Sequence, residues 1–99
     1  MDTLHRVGRA LADDSRRRMI VSMLDGIVYP ADLADHLDMT RANVSNHLAC
    51  LRGCGLVLAA PEGRRVRYEF ADPDLAEALR TLASIKLGTD DGCDSGEFG

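Results

Sequence analysis

The stretch TRANVSNHLACLRGCG, Thr40 to Gly55, decides how this chain folds. Thr40 is a good helix N-cap, and Gly55 suits the left-handed position that follows a helix, so a helix over 41–54 is expected. Val44, Leu48 and Leu51 recur at helical spacing and form its buried stripe. Pro30 suits the first turn of a preceding helix over 30–38, with Ala31, Leu33, Ala34 and Leu37 as its apolar side. Only Asp38, Met39 and Thr40 separate the two, the short connection of a helix-turn-helix, in which the second helix reads DNA.

Working outward, the pattern after Gly55 changes from helical to alternating. Residues 56–60 read as a strand, 61–64 as a turn and 65–70 as a second strand. In that second strand Val66, Tyr68 and Phe70 alternate with Arg65, Arg67 and Glu69, the period of a half-buried strand. Upstream, Leu4, Val7, Ala10 and Leu11 mark a first helix over 3–12, with Thr3 as its cap. Asp13, Asp14 and Ser15 cap a second helix with Met19, Ile20, Met23 and Leu24 as its stripe, ended by Gly26. Asp72-Pro73 restarts a helix whose apolar positions are Leu75, Ala78, Leu79, Leu82 and Ile85, ended by Gly88.

The expected fold is mainly α with a two-stranded β-wing: a winged helix-turn-helix over residues 1–88. The first and last helices are not needed to build the reading head, so their apolar stripes are expected to supply a two-fold dimer interface. Residues 89–99 are acidic and glycine-rich and read as a flexible C-terminal tail. No internal repeat or dividing linker is evident.

Ninety-nine residues with no Trp make one small domain whose core must come from Leu, Val, Ile, Ala and Met. No apolar run is long enough to span a bilayer and no signal-peptide pattern is seen, so a cytoplasmic protein without a membrane partner is expected. Three cysteines in a reducing compartment suggest metal, redox or packing roles rather than disulfides. The net charge is −4, which is unpromising for nucleic acid until its distribution is read. Residues 1–39 carry five Arg against seven Asp, and 71–99 carry Arg80 and Lys86 against seven acids. Residues 40–70 carry five Arg against two Glu, so the reading helix and hairpin form the single basic block. Affinity for DNA follows charge at the contact face, so an acidic total does not exclude it.

The N-terminal half of a reading helix enters the major groove, which points to Thr40, Arg41, Asn43, Ser45, Asn46 and His47. Arg41 can read guanine or clamp phosphate, Asn43 or Asn46 can read adenine, and Ser45 suits base or backbone. Thr40 is first an N-cap, and His47, three residues before Cys50, is open to a metal or structural role. Arg64, Arg65 and Arg67 surround the hairpin turn and suit phosphate or the minor groove. Arg16, Arg17 and Arg18 oppose the dipole of the second helix, which suggests a phosphate-facing role for at least one. Asp35 and His36 read as an exposed helix face.

Cys50 and Cys54 are i and i+4 on the same helix, so both thiols project from one face and can share one soft metal ion. Taken alone the pair is read equally well as small packing residues. Cys93 differs, since it lies in a polar tail where packing cannot explain it; its plain alternative is an exposed, redox-labile thiol.

The motifs at Leu11–Leu24, Leu33–Leu37, Thr40–Leu48, Leu51–Val57 and Gly63–Tyr68 together resemble the ArsR/SmtB family of winged-helix repressors, dimers that leave their operators when metal binds. The resemblance covers residues 4 to about 88, and Val44-Ser-x-His-Leu48 is its most distinctive part. Two metal sites used in that family have no counterpart here, because residues 30–38 hold no Cys and residues 73–87 no His. What remains resembles a cadmium- and lead-sensing subgroup, in which a Cys-x3-Cys pair on the reading helix is completed by a C-terminal cysteine of the partner subunit. The resemblance therefore implies Cys50, Cys54 and Cys93 as a three-sulfur site and places His47 on the DNA side. Three sulfurs suit Cd(II) or Pb(II), with other soft thiophilic ions open, whereas zinc usually takes a fourth ligand.

The function expected is a homodimeric, metal-responsive repressor that binds double-stranded operator DNA and is released by Cd(II) or Pb(II). The alternatives are a thiol redox-sensing winged-helix repressor and a winged-helix protein-interaction module. No paired carboxylates, nucleophile–base signature or phosphate-cradling glycine loop is found, so an enzyme is not expected.

Overall fold

The computed structural model describes residues 2–88. Along the chain run α1 (Asp2–Ala12), α2 (Asp14–Leu24), α3 (Pro30–Leu37), α4 (Arg41–Gly53), β1 (Val57–Glu62), β2 (Arg65–Phe70) and α5 (Pro73–Ser84). The tail over 89–99, with Cys93, lies outside the described residues.

The starts of α2, α4 and α5 carry side-chain caps, while α3 begins at Pro30 without one. The Asp13 carboxylate accepts from the Arg16 N–H at 2.9 Å, the Thr40 hydroxyl from Asn43 N–H at 3.1 Å, and Asp72 from Asp74 N–H at 2.8 Å. The α4 end is a Schellman cap: Leu56 N–H donates to Leu51 O and Gly55 N–H to Arg52 O, both at 3.0 Å. Gly55 takes φ +80° there, and an added Cβ would meet the Arg6 guanidinium at 3.2 Å, so only glycine fits without adjustment. Both members of the accompanying hydrophobic contact, Leu51 and Leu56, are buried. Asp38 turns the chain between α3 and α4 at φ 56°, a left-handed position that Asp tolerates.

One core unites the elements. Met19, Leu33, Val44, Leu48, Leu51 and Val57 are its largest fully buried side chains, with Ile20, Met23, Leu37, Leu56 and Leu79 around them. The buried residues of α2, α3 and α4 follow the predicted periodicity, with Leu24 and Ala31 only half-buried at the stripe edges. Ser22 is also buried, its hydroxyl donating to Arg18 O at 3.0 Å.

Four local expectations need correction. Thr3 does not cap α1 but lies within it, since the helix already includes Asp2. β1 does not stop before Pro61 but continues to Glu62, which pairs with Arg65 across a two-residue Gly63-Arg64 turn. Gly63 at φ +61° supplies the positive φ that a tight hairpin turn of this hand requires. The pair flanking a two-residue loop exchanges ladder hydrogen bonds, so Pro61 opposite Val66 falls at a non-hydrogen-bonded pair, where its missing N–H leaves no gap in the ladder. Alternation places Val66 on the buried face, yet it is 36 % exposed. Finally, α5 ends at Ser84, not near Gly88, and Ile85 is extended (φ −74°, ψ 133°). The Ser84 hydroxyl donates back to Thr81 O at 2.7 Å, and Ile85 and Leu87 lie exposed, so no packing within this chain holds a further turn.

These differences in burial predict a stability contrast. Leu48→Ala, within the core, should cost about 2–5 kcal/mol in urea unfolding, and Val66→Ala at the wing end less than about 0.5 kcal/mol. Comparable losses would contradict the packing described.

Candidate nucleic-acid interface and metal centre

α4 presents its first half to solvent. Thr40, Arg41, Asn43, Ser45 and Asn46 are exposed and His47 half-buried, while Val44 and Leu48 between them are buried. The Thr40 side chain is committed to its cap, as expected, and its exposed position leaves it near anything that approaches the helix start. His47 lies close enough to Asp13 for its charge to act on that carboxylate. Asp13 is held below the ordinary aspartate value, first by the Arg16 backbone N–H and then by the Arg16 and His47 charges.

The wing arginines divide into two groups. Arg64, in the turn, is exposed and makes no ion pair among the described residues. Arg65 stacks over the Tyr29 ring, 3.6 Å from its centroid, and pairs with Asp32 at 3.1 Å. Arg67 pairs with Glu62 at 2.9 Å and Glu69 at 3.0 Å. Tyr29 Oη donates to Glu62 at 2.6 Å, and Tyr68 N–H to Val28 O at 2.9 Å. The wing is thus tied to the start of α3, a network invisible in the sequence, since Asp32–Arg65 and Tyr29–Glu62 each join residues 33 positions apart. The Glu62 carboxyl is lowered by the Tyr29 hydroxyl first and by Arg67 next, and the Tyr29 hydroxyl is raised chiefly by that same bond.

The expectation that an arginine at the start of α2 faces phosphate meets a different arrangement. Arg17 pairs with Asp14 at 2.8 Å and donates to Leu11 O, and Arg18 donates to Leu37 O at 3.3 Å. Arg16 turns inward and donates to Cys50 Sγ at 3.3 Å. Asp35 and His36 are exposed, as expected of a solvated helix face.

Cys50 is exposed and Cys54 half-buried, both free thiols. Cys54 stands one residue past the last turn of α4, yet its N–H still donates to Cys50 O at 3.0 Å, so the i, i+4 relation is kept. Arg6 donates to Cys54 O at 3.1 Å, closing that end of the helix against α1. Two free thiols one turn apart at the end of a helix suit part of a soft-metal site. No group of three His, Cys, Asp or Glu gathers as a metal site among the described residues. Cys93 lies outside the described residues.

A helix-turn-helix with its reading face open and a basic hairpin beside it defines a winged-helix DNA-binding regulator. Residues 13–58 match the arsR family of bacterial regulatory proteins. The HTH-type transcriptional regulator CmtR of Mycobacterium tuberculosis is 60 % identical over 87 residues, covering 88 % of this chain and 74 % of the relative. The solution structure of the cadmium metal-sensor CMTR from that organism aligns with TM-score 0.70 and 59 % identity, over 87 % of this chain and 90 % of that one. A homodimeric winged helix-turn-helix domain from Mycobacterium bovis aligns with TM-score 0.72 and 32 % identity, over 84 % and 79 %. The chain belongs to the arsR family of transcriptional regulators. Its relatives are regulators, not enzymes, and no described helix is long and apolar enough to cross a membrane.

The wing network carries a directional prediction. Because its pKa is lowered, Glu62 supports the network at neutral pH and releases it only as pH falls through that lowered value. Tyr29→Phe removes the largest cause, so the Glu62 carboxyl should titrate at higher pH, and the wing should loosen earlier on acidification. Carboxyl-detected NMR titration checks this; an unmoved Glu62 would contradict the assignment.

Proposed function

We propose that this protein represses transcription as a homodimer on palindromic operator DNA and is released when Cd(II) or Pb(II) binds Cys50, Cys54 and Cys93. The observation that carries the reading is the placement of two free thiols, one helical turn apart, at the end of the helix whose opposite end exposes Arg41, Asn43, Ser45 and Asn46. The family and the cadmium sensor it resembles support it. The division of labour follows: residues 1–88 bind DNA and dimerise, and the tail over 89–99 brings the third sulfur.

Dimerisation is supported by apolar surface left uncovered on α1 and α5. Leu4 is 69 % exposed, Leu82 55 % and Ile85 52 %, and an apolar groove of about 480 Å³ runs between the two helices. A second copy covering that face would bring two reading heads into one assembly, as two operator half-sites need.

On DNA, Arg41, Asn43, Ser45, Asn46 and His47 read the major groove, while Thr40 caps the helix and touches backbone. Arg64 reaches phosphate or the minor groove. Arg65 and Arg67 act mainly by holding the wing in place, because their guanidinium groups already have carboxylate partners. A soft ion, when bound, supplies sulfur coordination that joins α4 to the tail. An inducer weakens DNA binding only if it binds the DNA-incompetent arrangement more tightly. Restraining or tilting α4 by its sulfur-bearing end meets that condition.

Cys50→Ser and Cys54→Ser should each keep operator affinity and abolish cadmium-driven release, together with the thiolate-to-metal absorption seen on titration. A normal cadmium response in both variants would overturn the site. Arg64→Ala should reduce the slope of log affinity against log salt by about one for each phosphate that Arg64 neutralises, whereas an unchanged slope would remove Arg64 from the interface.

A further inference from the structure

Arg16 occupies an unfavourable place. It stands in the first turn of α2, where the helix dipole disfavours a cation. Its neighbour Arg17 keeps nearly half its side chain in water, but Arg16 is only 20 % exposed. The guanidinium is folded over the α4 thiol instead. One terminal nitrogen donates to Cys50 Sγ at 3.3 Å and the other to Arg9 O at 3.4 Å. Nε lies 3.7 Å from the Asp13 carboxylate, is buried, and has no hydrogen-bond partner. A neutral thiol is a weak acceptor, so this cation is held against a sulfur that gives it little in return. An anionic sulfur would give much more.

We propose that Arg16 is the charge partner of the metal–thiolate centre, a positioning residue that orients Cys50 and offsets the negative charge formed when a soft divalent ion is bound. The inference rests on the three-cysteine reading above. When three thiols bind a divalent ion they release three protons to solvent, and the centre carries a net charge of −1. The Arg16 guanidinium stands where that charge forms. Its other contacts, to the Arg9 carbonyl on α1 and to the Asp13 cap of α2, join the loaded sulfur to the two helices packed behind the reading head. Asp13 competes for the same cation, which gives the arrangement a second, opposite handle.

The test uses the full chain and three substitutions, with cadmium affinity measured by competition against a chromophoric chelator. Arg16→Gln should weaken cadmium binding roughly ten- to a hundredfold, as loss of a group supporting metal ligands does. Its thiolate-to-cadmium absorption at saturation and its metal-free operator affinity should be unchanged. Arg16→Lys, which keeps the charge, should recover most of the loss. Asp13→Asn, which keeps the helix cap but frees the guanidinium, should tighten cadmium binding. Unaltered affinity in Arg16→Gln would overturn the proposal, and so would equal losses in the Gln and Lys variants, which would mark a packing role without charge. If Arg16→Gln does not fold, Asp13→Asn decides by the sign of its effect: tighter binding supports the proposal, and unchanged or weaker binding overturns it. Absence of thiolate absorption from the unmodified protein would remove the three-cysteine reading and this inference together, whereas normal absorption with unaltered Arg16→Gln affinity removes this inference alone.

Discussion

Burial of Val44, Leu48 and Leu51 is the constraint on which the rest of the molecule depends. A helix advances about 100° per residue, so committing those three positions to the core fixes the direction of every other side chain on α4. Beside the buried stripe runs a second strip at i, i+4, i+7, i+11: Asn43, His47, Cys50 and Cys54. Its first half is at the end that enters a groove, and its second half carries the thiols. The residues proposed to read DNA and to hold metal thus share one flank of one rigid element. Any force on the sulfurs is a force on that flank.

The two ends of α4 are secured differently, and this bears on how such a force acts. The N-terminus is held by its own Thr40 cap and the short turn from α3. The C-terminus has tertiary contacts besides its local Schellman cap: the Arg6 bond to Cys54 O from α1, and Arg16 on Cys50 from α2. A ligand drawn to the thiols would therefore act on the end already coupled to α1 and α2. Those helices border the apolar face proposed for dimerisation. In the proposed dimer, tilting α4 would also alter the spacing of the two reading heads, because packed interfaces shift between discrete arrangements and do not deform continuously.

Most of the fold is legible in the sequence because its signals are local. Thr40 and Gly55 bracket α4, Asp72-Pro73 starts α5, and apolar periodicity marks the stripes that are buried. The places where sequence and structure part share a different cause. Alternation tells which wing residues share a face but not whether anything covers it, so it puts Val66 inside. Pro61 reads as a turn because its tolerance in β1 depends on ladder register, which the turn length sets. The Cys50/Cys54 pair is legible from spacing alone. Its arginine is not, since Arg16 and Cys50 are 34 positions apart and only packing brings them together. A cation against the α2 dipole is the one hint, and in the sequence it points outward to phosphate.

The same pairing logic changes what the basic block means. Five arginines between residues 40 and 70 suggest a strongly cationic interface. Two of them, Arg65 and Arg67, are offset by Asp32, Glu62 and Glu69, and Arg52 lies at the far end of α4. Arg41 and Arg64 are left at the reading end and the wing turn. With roughly 0.9 counterions released per phosphate neutralised, two such contacts from one subunit give a salt slope of only about −2. That is too little electrostatic attraction for a single subunit to hold an operator against salt. Two subunits double it and add a second set of base contacts at fixed spacing. In the dimer proposed above, affinity would depend on keeping both heads in register, and a rearrangement at the thiol-bearing end of each α4 would act on that register.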